Sequence, residues 1–268
     1  MWVAALGITA LVSLNYALLI LFFRRGWKYL PSTVKTSGDN THISILIPVR
    51  NEQEYITGLL KQLKKQTYTS DFVEILFIND HSTDNSVRMI SQYTDKTENI
   101  KIIHLNKNES GKKRALWKGI QNSSGSLLVT IDADCLPTEK WLKTIAGFYK
   151  SFQPQMIIAP VIMYRKTGML KTLFSLEFLS LLASTAGAAG NNQAIMCNGA
   201  NLAFEKSLIK EIPNIYEHPT ASGDDMFLLE EAKRTGKTIQ FCKSVDACVY
   251  THPPETLQQF ISQRIRWV

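Results

Sequence analysis

The sequence lacks the short motifs that mark several common enzyme classes. Its 14 glycines form neither a GxGxxG pattern nor a GxxxxGK[ST] pattern, which disfavours a nicotinamide dehydrogenase and a P-loop ATPase. Its four cysteines, Cys135, Cys197, Cys242 and Cys248, show no CxxC spacing. We therefore expect reduced, packed thiols of a cytosolic compartment, without a disulfide framework or a zinc site.

Excess charge is missing from most of the chain, although the net charge is +7. Residues 24–39 carry +3 and residues 107–118 carry +4, so these two segments account for the whole excess. A nucleic-acid-binding protein usually spreads its basic residues along one face. The two short patches therefore argue against nucleic acid as a partner.

Residues 2–23 carry no charge at all. A helix of that length spans the apolar core of a bilayer, which is about 30 Å thick, and Arg24, Arg25 and Lys28 follow it directly. Because positive residues stay on the cytoplasmic side, we expect a single-pass protein of the cell (inner or plasma) membrane. Its parts would be a transmembrane helix over 1–23, a basic flank and linker over 24–41, and a cytoplasmic domain over 42–268. A cleaved leader is the alternative, but no positive residue precedes the segment and no small-residue cleavage site follows it.

Strand and helix patterns alternate beyond residue 42. Apolar runs predict strands over residues 44–49, 74–79, 101–105, 127–131 and 156–161, and the stretches between them predict helices over 53–66, 84–94, 112–121 and 138–151. Such alternation indicates an α/β fold with a mostly parallel central sheet and helices on both faces. Ligands of such folds bind beyond the carboxyl ends of the strands.

A second apolar stretch covers residues 170–190, but Lys171 and Glu177 interrupt it. These charges make it a poor transmembrane helix. An amphipathic helix at the membrane surface and a buried core helix are both compatible with the pattern.

Two carboxylates follow the fourth predicted strand. Asp132 and Asp134 are two residues apart, and side chains at that spacing on a strand point to one face. Adjacent carboxylates repel each other unless a cation lies between them, and hard oxygen ligands suit Mg²⁺ or Mn²⁺. The sequence therefore predicts a metal site, with a solvated turn before Pro137 as the alternative.

Polar residues also follow the first two predicted strands, as Asn51-Glu52 and Asn79-Asp80. Asp80 could accept an N–H from a nucleobase, although capping of the next helix by Ser82 or Thr83 would also explain that cluster. Lys112 opens a predicted helix, where a cation opposes the helix dipole. An anionic ligand such as a diphosphate would account for it.

The last third of the chain holds three further clusters. The loop at Asn198-Gly199 has small residues, which permit close approach of a sugar. Gly223-Asp224-Asp225 begins a predicted helix, and N-capping explains Asp224 but leaves Asp225 as a candidate general base. Arginines of the segment 263–267 suit a diphosphate and its indole suits a sugar face, with a basic helix end as the alternative.

The order of these clusters resembles the motif series of glycosyltransferase family 2, in the membrane-bound branch that includes cellulose, chitin and hyaluronan synthases. The resemblance covers residues 43–267 and implies a GT-A fold. It also implies a nucleotide-diphosphate sugar donor, with a UDP-sugar favoured, Mg²⁺ or Mn²⁺ as cofactor, and inversion at the anomeric carbon. The acceptor would be a glycan or lipid-linked molecule at the cytoplasmic membrane face, as in polysaccharide biosynthesis.

The resemblance assigns a role to each motif residue. Asp225 would be the catalytic base, and Asp134 would ligate the metal with help from Asp132. The acceptor would contact Asn198, Gly199 and Trp267. Binding of the nucleotide sugar would involve Glu52, Asp80, Lys112, Asp132, Gln263, Arg264 and Arg266.

Two rival functions remain open from the sequence. One is a metal-dependent nucleotidyltransferase-like enzyme, which would release pyrophosphate. The other is a catalytically impaired protein that only binds nucleotide sugars. Members of the branch usually continue into further transmembrane helices after the Arg-Trp motif, whereas this chain stops at Val268. We therefore expect a truncated form that binds nucleotide but transfers sugar weakly.

Overall fold

The computed structural model describes residues 2–31, 40–94, 98–164, 167–211 and 223–267. Residues 32–39 of the predicted basic flank and linker lie outside the described residues. In chain order the described helices are α1 (Trp2–Tyr29), α2 (Gln53–Lys64), α3 (Ser86–Thr94), α4 (Lys112–Asn122), α5 (Trp141–Phe152), α6 (Met169–Gly190), α7 (Lys206–Glu211), α8 (Asp224–Arg234) and α9 (Leu257–Trp267).

Ten strands form two sheets within these ranges. The strands are β1 (Ile43–Val49), β2 (Val73–Asn79), β3 (Ile100–His104), β4 (Leu127–Thr130), β5 (Leu136–Pro137), β6 (Met156–Ile158), β7 (Val161–Met163), β8 (Leu202–Glu205), β9 (Ile239–Phe241) and β10 (Val249–Thr251). The large sheet has the order β3-β2-β1-β4-β8-β6-β9, and a small sheet has the order β5-β10-β7. Only β8 runs antiparallel to its neighbours in the large sheet, which confirms the expected mostly parallel sheet.

Alternate residues of β1 are buried on opposite faces of the sheet, as the period of two requires. Ile45 and Ile47 belong to one apolar cluster, with residues of α2 and α5. Leu46 belongs to the other cluster, with Leu116 of α4 and Leu228 of α8. Burial of each such side chain stabilises the fold by about 1.5–3 kcal/mol, so helices on both faces hold the sheet in place.

The fifth predicted strand, over residues 156–161, is wrong. The segment forms two short strands, β6 and β7, which belong to different sheets. Pro160 lies between them and has no N–H to donate to a strand ladder, so a continuous strand is interrupted there. The first four predicted strands and the four predicted helices match observed elements within three residues at each end.

Helix α1 continues through the basic flank, six residues beyond the predicted end of the transmembrane segment. Its last turns cross α6 at glycines. A Cβ atom on Gly26 would overlap the carbonyl oxygen of Gly187, and one on Gly190 would overlap that of Gly26. The two backbones can approach this closely only because these positions have no side chain.

Two side chains outside α1 also hold its carboxyl end. Asn191 Nδ2 donates to the carbonyl of Phe22 over 2.7 Å, and Lys243 Nζ donates to that of Trp27 over 2.9 Å. A cation at a helix carboxyl end is favoured by the helix dipole. The end of α1 is therefore fixed against the domain.

Two described helices are long and apolar enough to cross a bilayer. The most apolar 18-residue stretch of Ala4–Tyr29 has a mean hydropathy of 2.1 and is exposed throughout, whereas that of Met169–Gly190 has a mean hydropathy of 1.4 and is 39% buried. The expected core helix is found at the end of α6, whereas a membrane-surface position of its start stays a prediction. The helix exposes Met169, Leu170 and Leu173 near its start and buries residues 185–189 near its end.

Candidate functional site

A cavity of about 870 Å³ lies beyond the carboxyl end of β4. It gathers residues from α4, α6, α8, α9 and the loop before β8. Ten of the twelve predicted site residues line it, namely Lys112, Asp132, Asp134, Asn198, Gly199, Asp225, Gln263, Arg264, Arg266 and Trp267. The structure thus brings together clusters that are up to 155 positions apart in the sequence (from 112 to 267).

The two carboxylates after β4 lie in different electrostatic environments. Asp132 Oδ1 forms an ion pair with Lys112 Nζ. Asp134 is largely buried and accepts a hydrogen bond from Cys135 Sγ over 3.3 Å. Burial, and then the charge of Asp132, raises the pKa of Asp134 above its ordinary value. Its ionised form is therefore disfavoured until a cation approaches.

This donor set fits a divalent cation that is shared with a ligand. Within the described ranges, no three His, Cys, Asp or Glu groups come together in a geometry that could hold a metal ion. Asp132 and Asp134 would therefore supply only part of a coordination shell. Mg²⁺ is usually bound in this way, by one or two carboxylates with water and phosphate oxygens filling the other positions.

Helix α4 begins at Lys112, as predicted. Burial is the largest influence on Lys112 and by itself would lower its pKa, but the charge and hydrogen bond of Asp132, together with the charge of Asp225, outweigh it and the pKa lies above its ordinary value. The pairing with Asp132 explains this cation at a helix start without an anionic ligand. Contact between Lys112 and a diphosphate therefore stays a prediction.

Asp225 lies in the first turn of α8, where the helix dipole favours negative charge. Its Oδ2 accepts a hydrogen bond from the backbone N–H of Gly199 over 2.7 Å, and its Oδ1 accepts one from that of Met226 over 2.9 Å. The carboxylate is thus held in a fixed orientation at the cavity wall. That is the arrangement a general base needs.

Capping of α8 by Asp224 is wrong. The N-cap is Gly223, at a φ of 89° that glycine adopts readily, and Asp224 is the first helical residue. Asp224 Oδ1 is buried and has no hydrogen-bond partner among the described groups. Burial raises the pKa of Asp224 to about 6. No sequence pattern indicates this buried, unpaired carboxylate oxygen, because N-capping already explains an acidic residue at the start of a helix.

The loop before β8 has a structural role in addition to its place at the cavity. Asn198 Oδ1 accepts from the N–H of Ala200 over 2.9 Å and so caps a short 3₁₀ turn. Thr130 Oγ1 donates to the carbonyl of Gly199 over 2.7 Å and ties the turn to β4. A role of Asn198 and Gly199 in binding an acceptor stays a prediction.

Asn201, at the end of the same turn, is completely buried. Trp141 Nε1 donates to its Oδ1 over 2.9 Å. Its Nδ2 donates to the carbonyl of Pro160 over 2.8 Å and to that of Ala247 over 2.9 Å. This amide therefore joins α5 and both sheets, and its function is to hold the loop in place.

Glu52 and Asp80 are not among the described residues that line the cavity. Asp80 is buried, and its Oδ2 accepts from the N–H of Gly111 over 2.9 Å and from Arg50 Nη1 over 3.2 Å. Its Oδ1 is buried and has no partner among the described groups. The carboxylate is closed off from solvent in this conformation, so its contact with a nucleobase stays a prediction.

Glu52 lies close enough to Asp132 and Asp134 for their negative charges to affect its pKa. Burial, then the charges of Asp134 and Asp132, raises the pKa of Glu52 to about 7.

The predicted capping of α3 by Ser82 or Thr83 is wrong. Asp84 Oδ1 accepts a hydrogen bond from the N–H of Ser86, the first helical residue, over 2.9 Å.

The arginine motif lies on α9, which packs against α6. Arg264 Nε donates to Glu177 Oε1 over 3.0 Å, and its Nη2 forms an ion pair with Glu177 Oε2. Glu177 also lines the cavity, yet no sequence pattern selects it as a site residue. The partners are 87 positions apart, and no local pattern pairs one acid with one arginine over that distance.

Comparison with known proteins places this geometry in a family. Residues 44–212 match the family described as Glycosyl transferase family 2. The chain is 23% identical over 225 residues, 84% of its length, to the glycosyltransferase AglE of Haloferax volcanii. The solved mannosyltransferase PcManGT of Pyrobaculum calidifontis, in complex with GDP-Man and Mn²⁺, superposes with a TM-score of 0.69 at 17% identity over 96% of the chain. TarS residues 1–349 of Staphylococcus aureus, with UDP-GlcNAc, gives 0.60 at 20% identity over 81% of the chain.

These likenesses confirm the expected GT-A fold. The matched region spans 71% of the Haloferax protein, 70% of the mannosyltransferase chain and 60% of the TarS chain. It spans 54% of a further relative, the probable glycosyltransferase YdaM of Bacillus subtilis.

Proposed function

The chain belongs to glycosyltransferase family 2, and from that membership we propose that it transfers a sugar from a nucleotide-diphosphate sugar to a hydroxyl acceptor with inversion. The observation that carries the proposal is the meeting of the Asp132/Asp134 pair with Asp225 in one cavity. The Asp132/Asp134 pair can hold a cation that binds a diphosphate, and Asp225 can accept a proton. We favour a UDP-sugar as donor, although a solved structure of similar fold holds GDP-Man.

On the donor side, Asp134 would bind the cation and Asp132 would help to hold it. Mg²⁺ or Mn²⁺ there would supply positive charge to the leaving diphosphate. Lys112 keeps Asp132 in place through their ion pair. Arg264 and Arg266, which line the same cavity, would bind the diphosphate oxygens through their N–H groups.

On the acceptor side, Asp225 would accept the proton of the attacking hydroxyl. The acceptor oxygen forms a bond to the anomeric carbon while the bond from that carbon to the diphosphate breaks. The nucleoside diphosphate leaves with the electron pair, and attack from the opposite face inverts the configuration. The N–H of Gly199 fixes the base, and Trp267 offers a half-exposed indole for stacking on an acceptor sugar.

We also place the reaction at the cytoplasmic face of a cell membrane, with a glycan or lipid-linked acceptor. Helix α1 is apolar and almost entirely exposed, and basic residues follow its uncharged part. The apolar start of α6 is exposed as well. Two neighbouring exposed apolar helices support a membrane-bound protein whose cavity lies next to the lipid.

Cation-dependent binding of nucleotide sugars tests the proposal. The purified chain would be titrated with UDP-, GDP- and dTDP-sugars in detergent, with and without Mn²⁺ or Mg²⁺. We expect one nucleotide class to bind only with the cation, and Asp134→Asn to abolish that dependence. Asp71→Asn is the matched control, because Asp71 is exposed in the turn before β2. Wild-type binding that ignores the cation, or unchanged binding in Asp134→Asn, contradicts the proposal.

A further inference from the structure

Glu177 is a charged residue of the cavity wall to which the proposed reaction gives no role. It lies on α6, and 37% of its side chain is exposed. Both of its carboxylate oxygens are engaged by Arg264, one by Nε over 3.0 Å and the other by Nη2. Such a two-point contact fixes the plane of the guanidinium as well as its distance.

Arg264 is held from several other directions. Its Nη1 donates to Gln263 Oε1 over 3.0 Å. The guanidinium carbon lies 4.5 Å from the ring centre of Phe260 and 4.2 Å from that of Trp267. Since a guanidinium carries five N–H groups, Glu177 and Gln263 engage three and leave two for a ligand.

The rest of the contact between α6 and α9 supports this geometry. The rings of Phe174 and Phe260 stack at 4.2 Å with an angle of 8° between their planes. Lys171 forms an ion pair with Glu255, just before α9 begins. Helix α9 is therefore attached to α6 at both ends, and Glu177 is the contact that reaches the arginine itself.

We propose that Glu177 is a positioning residue that acts through Arg264. It holds the guanidinium at the cavity wall so that the two remaining N–H groups meet the donor diphosphate. The ion pair neutralises the arginine, so its contribution is directional N–H donation from a preorganised group. The inference rests on the proposed function, because it requires that a nucleoside diphosphate binds in this cavity.

The preference for a diphosphate over a monophosphate measures this role. Affinities for UDP against UMP, and for GDP against GMP, would be compared in the presence of Mn²⁺. We expect Glu177→Gln to reduce the preference on the order of tenfold, the value of one hydrogen bond to a charged group. Glu177→Asp keeps the charge and should retain part of the preference. Glu255→Gln is the matched control, since it removes the neighbouring ion pair between the same elements but leaves Arg264 untouched.

A double-mutant cycle separates this role from general damage. If Glu177 acts through Arg264, then Glu177→Gln adds nothing to Arg264→Gln, whereas independent effects add. Additive losses, an unchanged preference in Glu177→Gln, or an equal loss in Glu255→Gln overturn the inference and leave the proposed function intact. Failure of the wild type to bind any nucleoside diphosphate overturns both.

Discussion

Replacement of Asn201 by aspartate should cost the fold several kcal/mol, although it changes one amide NH₂ into an oxygen. The hydrogen bond from Trp141 Nε1 survives the change. The carbonyl of Pro160 loses one donor but keeps the N–H of Val249, whereas the carbonyl of Ala247 loses its donor. One unpaired buried acceptor at about 1–3 kcal/mol and one lost hydrogen bond at about 1 kcal/mol cost about 3 kcal/mol together. For a domain of this size that lowers the Tm by roughly 6–12 °C.

The loss of folding stability in Asn201→Asp should also increase with pH. A buried aspartate has a pKa above its unfolded value, because burial disfavours the charged form. Its protonated form regains one O–H donor for one carbonyl. The deficit of Asn201→Asp should therefore shrink as the pH falls and grow as the pH rises above the unfolded pKa of about 4.

Thermal unfolding followed by tryptophan fluorescence measures both effects. Asn108→Asp is the control, because Asn108 is exposed in the turn between β3 and α4. We expect the control to stay within about 0.5 kcal/mol of wild type. A loss below about 1 kcal/mol in Asn201→Asp, or a deficit independent of pH, would refute the assignment of Asn201 as a saturated structural amide.

Three further predictions concern the base, its neighbour and the α1–α6 contact. Asp225→Asn should bind donor normally but transfer the sugar to the acceptor at least ~10²-fold more slowly; near-normal turnover would move the role to Asp224. Burial raises the pKa of Asp224 to about 6, so the fold keeps a proton that the unfolded chain, with a pKa near 4, has lost, and wild-type stability falls as the pH rises between those values. Asp224→Asn should therefore have the higher Tm at pH 8, and a difference that persists at pH 4 would contradict this. Gly26→Ala should destabilise by about 1–3 kcal/mol through overlap with Gly187, whereas Gly7→Ala, with no atom within 4 Å of its added Cβ, should not; equal Tm values for these two variants would count against the close crossing.

The sequence was sufficient for the parts of the fold in which local patterns and packing agree. The runs at residues 44–49 and 74–79 are continuous apolar stretches, as strands buried on both faces require. Parallel strands end at one edge of the sheet, so the residues that follow β1, β2 and β4 were expected to meet there. The GT-A expectation, by contrast, came from the resemblance to a family.

Long-range geometry accounts for the features that the sequence did not reveal. The antiparallel direction of β8, a four-residue strand between β4 and β6, is set by tertiary packing and not by a local pattern. The unpaired oxygen of Asp224 becomes visible only when its surroundings are in place. The pairing of Glu177 with Arg264 depends on two helices that meet only after folding.

The glycine crossing of α1 and α6 has a consequence for how an acceptor could be found. With α1 in a bilayer, a domain fixed to its last turn cannot swing on a flexible tether. As the protein diffuses in the membrane, the cavity would then stay at a constant height above the lipid surface and move within one plane. For an acceptor held in the same membrane, as we propose, the encounter would become a search in two dimensions, and its rate would depend on the number of acceptors per unit area of membrane. An acceptor whose reactive hydroxyl lies above or below that plane would not reach the site. The distance of the hydroxyl from the membrane surface would then contribute to specificity, in addition to its chemistry.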